Sequence, residues 1–529
     1  MKLANSDHWK KFDLSIGTVY WKSMPAAAPS DSIASSLEKW AWQQEGDWAA
    51  IVYFQGKWYA ITNASRSIPI FVRTRHSESE VACNAVEICA DEDTLDFKLA
   101  AEFVHSGYLF GRETMIRGIT SIPAGSIYEL DTPNPQCIHY SDVFRTDFAS
   151  ADTDPSDAMK GFYEVVLHAF EQLIHNAHGE QLLIPLSGGA DSRLLVSALK
   201  ELDARNVYAY TYGIPGSREV DISKQVAQAI GFPWINIELN RGDMHHRWIQ
   251  PKNAEFLRYC WNGESLPHIQ DWYALDKLRE LSDIISPHAI ILPGHTVVGN
   301  AHDEYLCTPQ SRENLQDAAD AIAKHHCALQ GAKKLKQLPE SLQTKILDYL
   351  EPRWDAERGT KRIQTFEELN LITRQAKYIN NSMRGYEHFG FQWALPMTYH
   401  SVWRYWHSTP RSLRDESRIE YIRFTNEKYA EITGLEPEYF MPKTAQIRPS
   451  IKEKIKTTLA TLHLLDPFNK FWRIRIERHH PMAFEALAGN LSKKQIDMRL
   501  ISGQTMLGIY SELLILNQWV PGAKIVPEK

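Results

Sequence analysis

The chain has 529 residues, 43% of them hydrophobic and 23% charged, with a formal net charge of −7. That length exceeds one hydrophobic core and calls for two or three domains of an ordinary globular enzyme. The acidic balance excludes a basic nucleic-acid footprint, and no run of about 18 apolar residues exists to span a membrane.

Residues 1–145 read mainly as short strands. Trp48 to Ile61 is a hairpin with a Gln55-Gly56 turn. Ser67 to Val72 and Ser126 to Leu130 are further strands, and their alternating apolar positions predict stacked sheets. The N-terminus lacks the apolar core of a signal peptide. Six scattered cysteines (Cys83, Cys89, Cys137, Cys260, Cys307, Cys327) show no metal spacing and read as reduced cytoplasmic thiols. Around Thr146–Ser156 the chain turns polar, which marks a linker. An amphipathic helix is expected from Asp157 to about His178. Strands expected at 182–186, 207–212 and 289–293 alternate with helices, the pattern of a parallel sheet covered on both faces. Beyond 305 the chain reads as mostly helical.

The stretch at 182–193 carries the most chemistry. An apolar strand ends at Leu186. The loop Ser187-Gly188-Gly189-Ala190-Asp191-Ser192 follows, and Arg193 to Lys200 is helix-prone. Two glycines permit close backbone approach. Loop amides at a helix N-terminus make an anion site. Ser187 and Ser192 can donate to phosphate oxygens, and Asp191 can hold Mg²⁺. The pattern is the pyrophosphate loop of enzymes that split ATP between the α- and β-phosphates. It differs from the kinase-type loop, which carries Lys-Ser/Thr after its last glycine.

Three segments together are similar to the asparagine synthetase family. They are the loop, the Tyr210–Gly231 run with its Gly213-Ile214-Pro215-Gly216-Ser217 turn and Val226-Ala227…Gly231 ending, and the bridge Gly107–Gly125. The resemblance is good over residues 100–235 and weak after about 305. It implies an α/β chain in two parts. Residues 1–150 would be a stacked-sheet domain like the class II glutamine amidotransferases. Residues 151–529 would be a pyrophosphate-loop ATPase domain with a helical C-terminal extension. Glutamine-using relatives have a cysteine nucleophile at position 2, where this chain has Lys2, and its first cysteine is Cys83. The resemblance therefore implies a degenerate N-terminal domain, kept as a scaffold or as a surface for a substrate or protein partner.

The implied activity joins a carboxylate to an amine at the expense of ATP, by way of an acyl-adenylate, with release of AMP and pyrophosphate. The cofactors are ATP and Mg²⁺. The carboxylate is a small molecule or a peptide. The amine is free ammonia, ammonia from another protein, or an amine on the substrate itself, as in the β-lactam synthetases and lasso-peptide cyclases. Other relatives amidate sugar acids. The resemblance places Leu186, Ser187, Gly188, Gly189, Asp191, Ser192, Tyr212, Pro293, Gly294 and His295 around the nucleotide. Its second metal aspartate falls on Val298 when counted from Gly294, or on Asp303 when counted from Gly299, where Asp303 and Glu304 equally suit the start of a solvated helix. His295 could replace that charge by a phosphate hydrogen bond. For amide formation, Glu387 matches the glutamate of a Tyr–Glu pair, with Tyr378 or Tyr386 as partner, and equally suits a structural pairing with an arginine. Lys443 is the first candidate for the charge-stabilising lysine, whose register lands on Ser450; Arg448 and Lys452 are the substitutes. Gly263–Trp272 either lines an acceptor pocket or packs, with packing slightly favoured. Two other readings stay open: another pyrophosphate-loop enzyme, and a non-catalytic nucleotide-binding protein.

Overall fold

The structure is a computed structural model that describes residues 1–141, 154–299, 313–331, 338–354, 361–414, 418–436, 472 and 474–527. The N-terminal part holds two sheets. One has four strands in the order Lys2–Leu3, Glu78–Ala82, Phe71–Arg75, Ile119–Ser121. The other has six, in the order Cys137–His139, Ser126–Glu129, Lys57–Thr62, Asp47–Phe54, Gly17–Met24, Lys10–Leu14. Strand Asp47–Phe54 sends Ala49 and Ile51 into one core with Phe71, Val72 and Val81, and Ala50 and Val52 into another with Trp21, Trp40 and Trp48. Both of its faces are buried, which is why it reads as an unbroken apolar run. Gln55 and Gly56 both take positive φ, +48° and +84°, as the tight hairpin turn requires.

The strand expected over 67–72 begins later, at Phe71. The Asn63 carboxamide claims the Ser67 amide at 3.0 Å, and Arg66 donates to the Ile122 carbonyl at 2.7 Å. Side-chain bonds thus replace the ladder there, and Pro69 has no N–H to give it.

Helix Pro155–Ala177 starts at an Asp154 cap with proline in its first turn. Past it lies a five-stranded sheet in the order Trp234–Glu238, Val207–Gly213, Leu182–Pro185, Ile290–Ile291, Gln392–Trp393. Every neighbouring pair is parallel. The strand order reverses direction between Leu182–Pro185 and Ile290–Ile291. In open parallel sheets a ligand crevice lies at such a switch point, beyond the carboxyl ends of the strands. The edge strands Trp234–Glu238 and Gln392–Trp393 were not expected from the sequence. Among the described residues no helix is long and apolar enough to cross a membrane, and the described cysteines are free thiols.

The two halves share a core. One apolar cluster runs from Phe71 and Val81 through Trp248 and Trp272 to Trp519 and Val520, so the C-terminal segment packs against the N-terminal sheets. Two carboxylates on the N-terminal side also hold backbone of the C-terminal side. Asp47 accepts from the Leu395 amide at 2.8 Å, and Glu45 from the Ser401 amide at 3.1 Å. Burial lifts Asp47 from 3.8 to about 7 and Glu45 from 4.5 to about 7. Their folded pKa values lie above the unfolded ones. Their contribution to stability is therefore full below about pH 4 and is lost as pH rises to about 7. The melting temperature of the protein should fall across that window, and the Asp47→Asn/Glu45→Gln double variant should flatten the profile. Calorimetry from pH 4 to 8 checks this; an unchanged slope in the double variant would refute it.

Candidate nucleotide site

At the switch point lies a cleft of about 270 Å³. Leu186, Ser187, Asp191 and Ser192 line it from the first strand and its loop, Tyr212 from the second strand, and Pro293, Gly294 and His295 from the fourth. Gly188 lies within the loop at φ +72°, where a Cβ would stand 2.6 Å from the Ile222 side chain; only glycine makes the turn. Gly189 begins helix Ala190–Glu201, which has no side-chain cap. Its first amides are left for a ligand or water. The Ser187 and Ser192 hydroxyls are 2.8 Å apart, and the Gly189 amide donates to Ser187 Oγ at 3.3 Å.

Helix Ile419–Thr433, far away in sequence, braces this loop. Arg193 lies buried beneath it and donates to the Gly188 carbonyl and, at 2.7 Å, to Asn426 Oδ1. Burial lowers the Arg193 pKa to about 10, which leaves it charged at neutral pH. Arg418, at the start of the same helix, donates through Nη2 to Asp191 Oδ1. The carboxylate that sequence analysis assigned to Mg²⁺ is thus held by a guanidinium. No motif points to Arg418 or Asn426, and only their position in the fold reveals them.

The far wall of the cleft is polar and aromatic. Tyr212 and Tyr386 both donate to Asp271, the latter at 2.7 Å. Burial, with the Asp271 charge beside them, raises both phenols well above their ordinary pKa. His268 and His295 also face the cleft. Burial pushes His295 down to about 4 and lowers His268 as well, so both are neutral imidazoles at physiological pH. His295 can give a phosphate a hydrogen bond but no charge. Of the Gly263–Trp272 stretch, Asp271 and His268 line the cleft, whereas Trp272 packs edge-on against Trp248.

After the fourth strand the chain turns into the core. Val297 and Val298 are 1% and 3% exposed, so the register counted from Gly294 ends on a buried apolar side chain. Asp303 and Glu304 lie outside the described residues, as do Lys443, Arg448, Ser450 and Lys452.

Glu387 does not line the cleft. Its carboxylate accepts from Tyr259 at 2.7 Å and Trp393 at 3.0 Å, and pairs with Arg384 at 2.9 Å. Burial opposes its charge, yet Arg384 and these donors hold it below the ordinary carboxylate range. Its tyrosine partner is Tyr259, neither Tyr378 nor Tyr386. Tyr386 turns to Asp271, and Tyr378 stacks on Tyr108.

The comparisons bear on this geometry. Residues 177–251 match the family model of asparagine synthase. That span holds the first strand, the loop and its helix, and the next two strands. Over that span the chain is similar to the asparagine synthase family. No curated protein matches the chain. Among solved structures, a predicted subunit of tRNA methyltransferase from Methanocaldococcus jannaschii is 20% identical over 34% of this chain and 91% of its own, with a TM-score of 0.15. At that TM-score the likeness bears on neither fold nor activity. The chain is a mixed α/β protein with a parallel sheet, as expected. Magnesium bound with a nucleotide typically takes one or two carboxylates plus phosphate oxygens. Asp191 fits that donor set. Among the described residues no three acidic, histidine or cysteine side chains gather into a cage of their own.

Proposed function

We propose that the protein adenylates a substrate carboxylate with ATP and passes the acyl group to an amine. The observation that carries this reading is the Ser187–Ser192 loop at the carboxyl end of a central parallel strand, facing a cleft lined by the ends of the neighbouring strands. Ser187, Ser192 and the amides after Gly188 hold the pyrophosphate portion, where their fixed dipoles meet the charge that develops as the α–β bond breaks. Leu186, Tyr212, Pro293 and Gly294 border the base and ribose, and His295 donates to a phosphate oxygen. Asp191 would hold Mg²⁺ together with the nucleotide, and the ion would supply charge neutralisation on the phosphates. The carboxylate oxygen attacks the α-phosphorus and pyrophosphate leaves. The amine then attacks the acyl carbon, loses a proton, and AMP leaves. Asp303 remains the candidate second metal ligand, and Lys443 and Arg448 the candidates for charge stabilisation in the second step.

Residues 1–150 form, on this reading, a degenerate glutamine amidotransferase-like domain, and residues 151–529 the ligase domain. The enclosed setting of Glu387, with three donors and no place on the cleft, favours a structural role for it. The amine is ammonia, an amine from a partner, or one on the substrate, as in a cyclase or a sugar-acid amidating enzyme. ATP–pyrophosphate exchange over a panel of small and peptide carboxylates tests the assignment. Exchange is expected with at least one class, and incubation with glutamine should release no glutamate above background. Failure of exchange across the panel in a protein that binds ATP would favour a non-catalytic nucleotide-binding role.

A further inference from the structure

Arg418 has three features that a surface ion pair alone does not explain. Its backbone stands at φ +53°, a conformation that residues other than glycine adopt seldom and that marks strain held by its surroundings. Its guanidinium lies 5.0 Å over the Tyr421 ring, a platform that fixes its plane. Its stem passes Gly299, where a Cβ would stand 3.0 Å from Arg418 Cδ. All three aim the guanidinium at Asp191, yet both side chains stay about a quarter exposed, at 27% and 28%. A pair that open to water contributes little to stability.

The place where the guanidinium rests explains the expense of aiming it there. Asp191 lies in the first turn of helix Ala190–Glu201, beside Ser187, Ser192 and the uncapped amides. These groups form a candidate anion site, and the bracing helix sets the Arg418 guanidinium beside it. A triphosphate presents several negative charges to a fork that matches phosphate oxygens bidentately. One carboxylate presents a single charge. A nucleotide entering the loop would therefore draw Arg418 from Asp191 to its phosphates and free that carboxylate for a metal ion.

We propose that Arg418 is a phosphate-binding residue that stands on Asp191 in the empty protein and transfers to the β- and γ-phosphates of the bound nucleotide. The inference rests on the nucleotide-site reading above. It adds a cation from helix Ile419–Thr433 to a loop that has no lysine of its own, and it makes Asp191 and the phosphates competing partners for one guanidinium.

Calorimetric binding of ATP, pyrophosphate, AMP and adenosine to the full chain tests it without knowledge of the carboxylate. Arg418→Met should weaken ATP and pyrophosphate about 10- to 100-fold, the range for hydrogen bonds between charged groups, and leave AMP and adenosine within about twofold. Arg418→Lys keeps the charge without the fork and should fall between. With magnesium chelated, Asp191→Asn releases the arginine from its resting partner and should tighten ATP binding, and this gain should vanish in the Asp191→Asn/Arg418→Met double variant. Unchanged or tighter ATP binding by Arg418→Met would overturn the proposal, because the arginine would then be a plug over Asp191. Equal loss of AMP and ATP would overturn it too, as the sign of a residue that merely shapes the site. If the wild-type chain binds no ATP, the nucleotide-site reading itself fails, and that result is distinct from either.

Discussion

Glu264→Ala is expected to destabilise the protein by about 3–5 kcal/mol, the usual result of removing one partner from a buried ion pair. Glu264 is 2% exposed and pairs with Arg66 at 2.7 Å and Lys377 at 3.2 Å, which are themselves 1% and 3% exposed. Arg66 belongs to the loop that joins strands Lys57–Thr62 and Phe71–Arg75 of the N-terminal part, Glu264 to the segment that leads to the cleft, and Lys377 to the helical region beyond it. Lys377 also donates to the Gly111 carbonyl at 2.7 Å. Burial alone would drive Glu264 towards its neutral form. The two cations reverse that and hold its carboxyl below the ordinary range. Without the carboxylate, two positive charges face each other in a dry site. Arg66 cannot shed its proton, whereas burial already lowers the pKa of Lys377, so relief comes only by neutralising Lys377 or by opening the contact between the halves. Urea denaturation should show an early midpoint for Glu264→Ala and a smaller shift for Glu264→Gln, which keeps an acceptor. A Glu264→Ala midpoint equal to that of the wild type would show that water reaches these groups and that the network does not join the halves.

The second large effect is on chemistry. Ser187→Ala should reduce ATP–pyrophosphate exchange by about 10²–10³-fold, the usual loss when one preorganised donor to developing charge is removed. The hydroxyl lies 2.8 Å from Ser192 Oγ and accepts from the Gly189 amide, so the change also frees the loop proposed to cradle the phosphates. Ser187 is not one of the fully buried residues of the core, and the melting temperature should move by no more than a few degrees. A folded Ser187→Ala variant with full exchange would remove the loop from the reaction.

Much of this site was legible because its chemistry is local. The Ser-Gly-Gly-Ala-Asp-Ser loop needs only that an apolar strand precede it and a helix follow. Both conditions can be read from consecutive residues, since strand and helix periodicity and the glycine requirement at Gly188 act within a dozen positions. The hairpin at Gln55-Gly56 and helix Pro155–Ala177 were legible for the same reason: a turn and a cap are short-range bonds. The two-residue strands Ile290–Ile291 and Gln392–Trp393 show the opposite case. The first is too short for a period to announce its bounds, and the second was not found at all. Both are strands because neighbours align their backbone groups.

By itself the sequence determined most of the strands and helices around the loop, the loop's candidacy for phosphate binding, and the likeness to a family. Which residues meet across the chain was decided only by the tertiary structure. Glu387 and Asp271 are both carboxylates beside tyrosines in sequence or space. Packing encloses the first behind Arg384, Tyr259 and Trp393, and sets the second between Tyr212 and Tyr386 on the cleft. Asp191 reads as a metal ligand in the sequence, and only the fold shows that Arg418, 227 positions away, donates to it. Motifs record the bonds a residue makes with its neighbours in the chain. Ion pairs and burial depend on contacts between segments hundreds of positions apart, and no spacing in the sequence encodes which of several carboxylates will find the water and which the arginine.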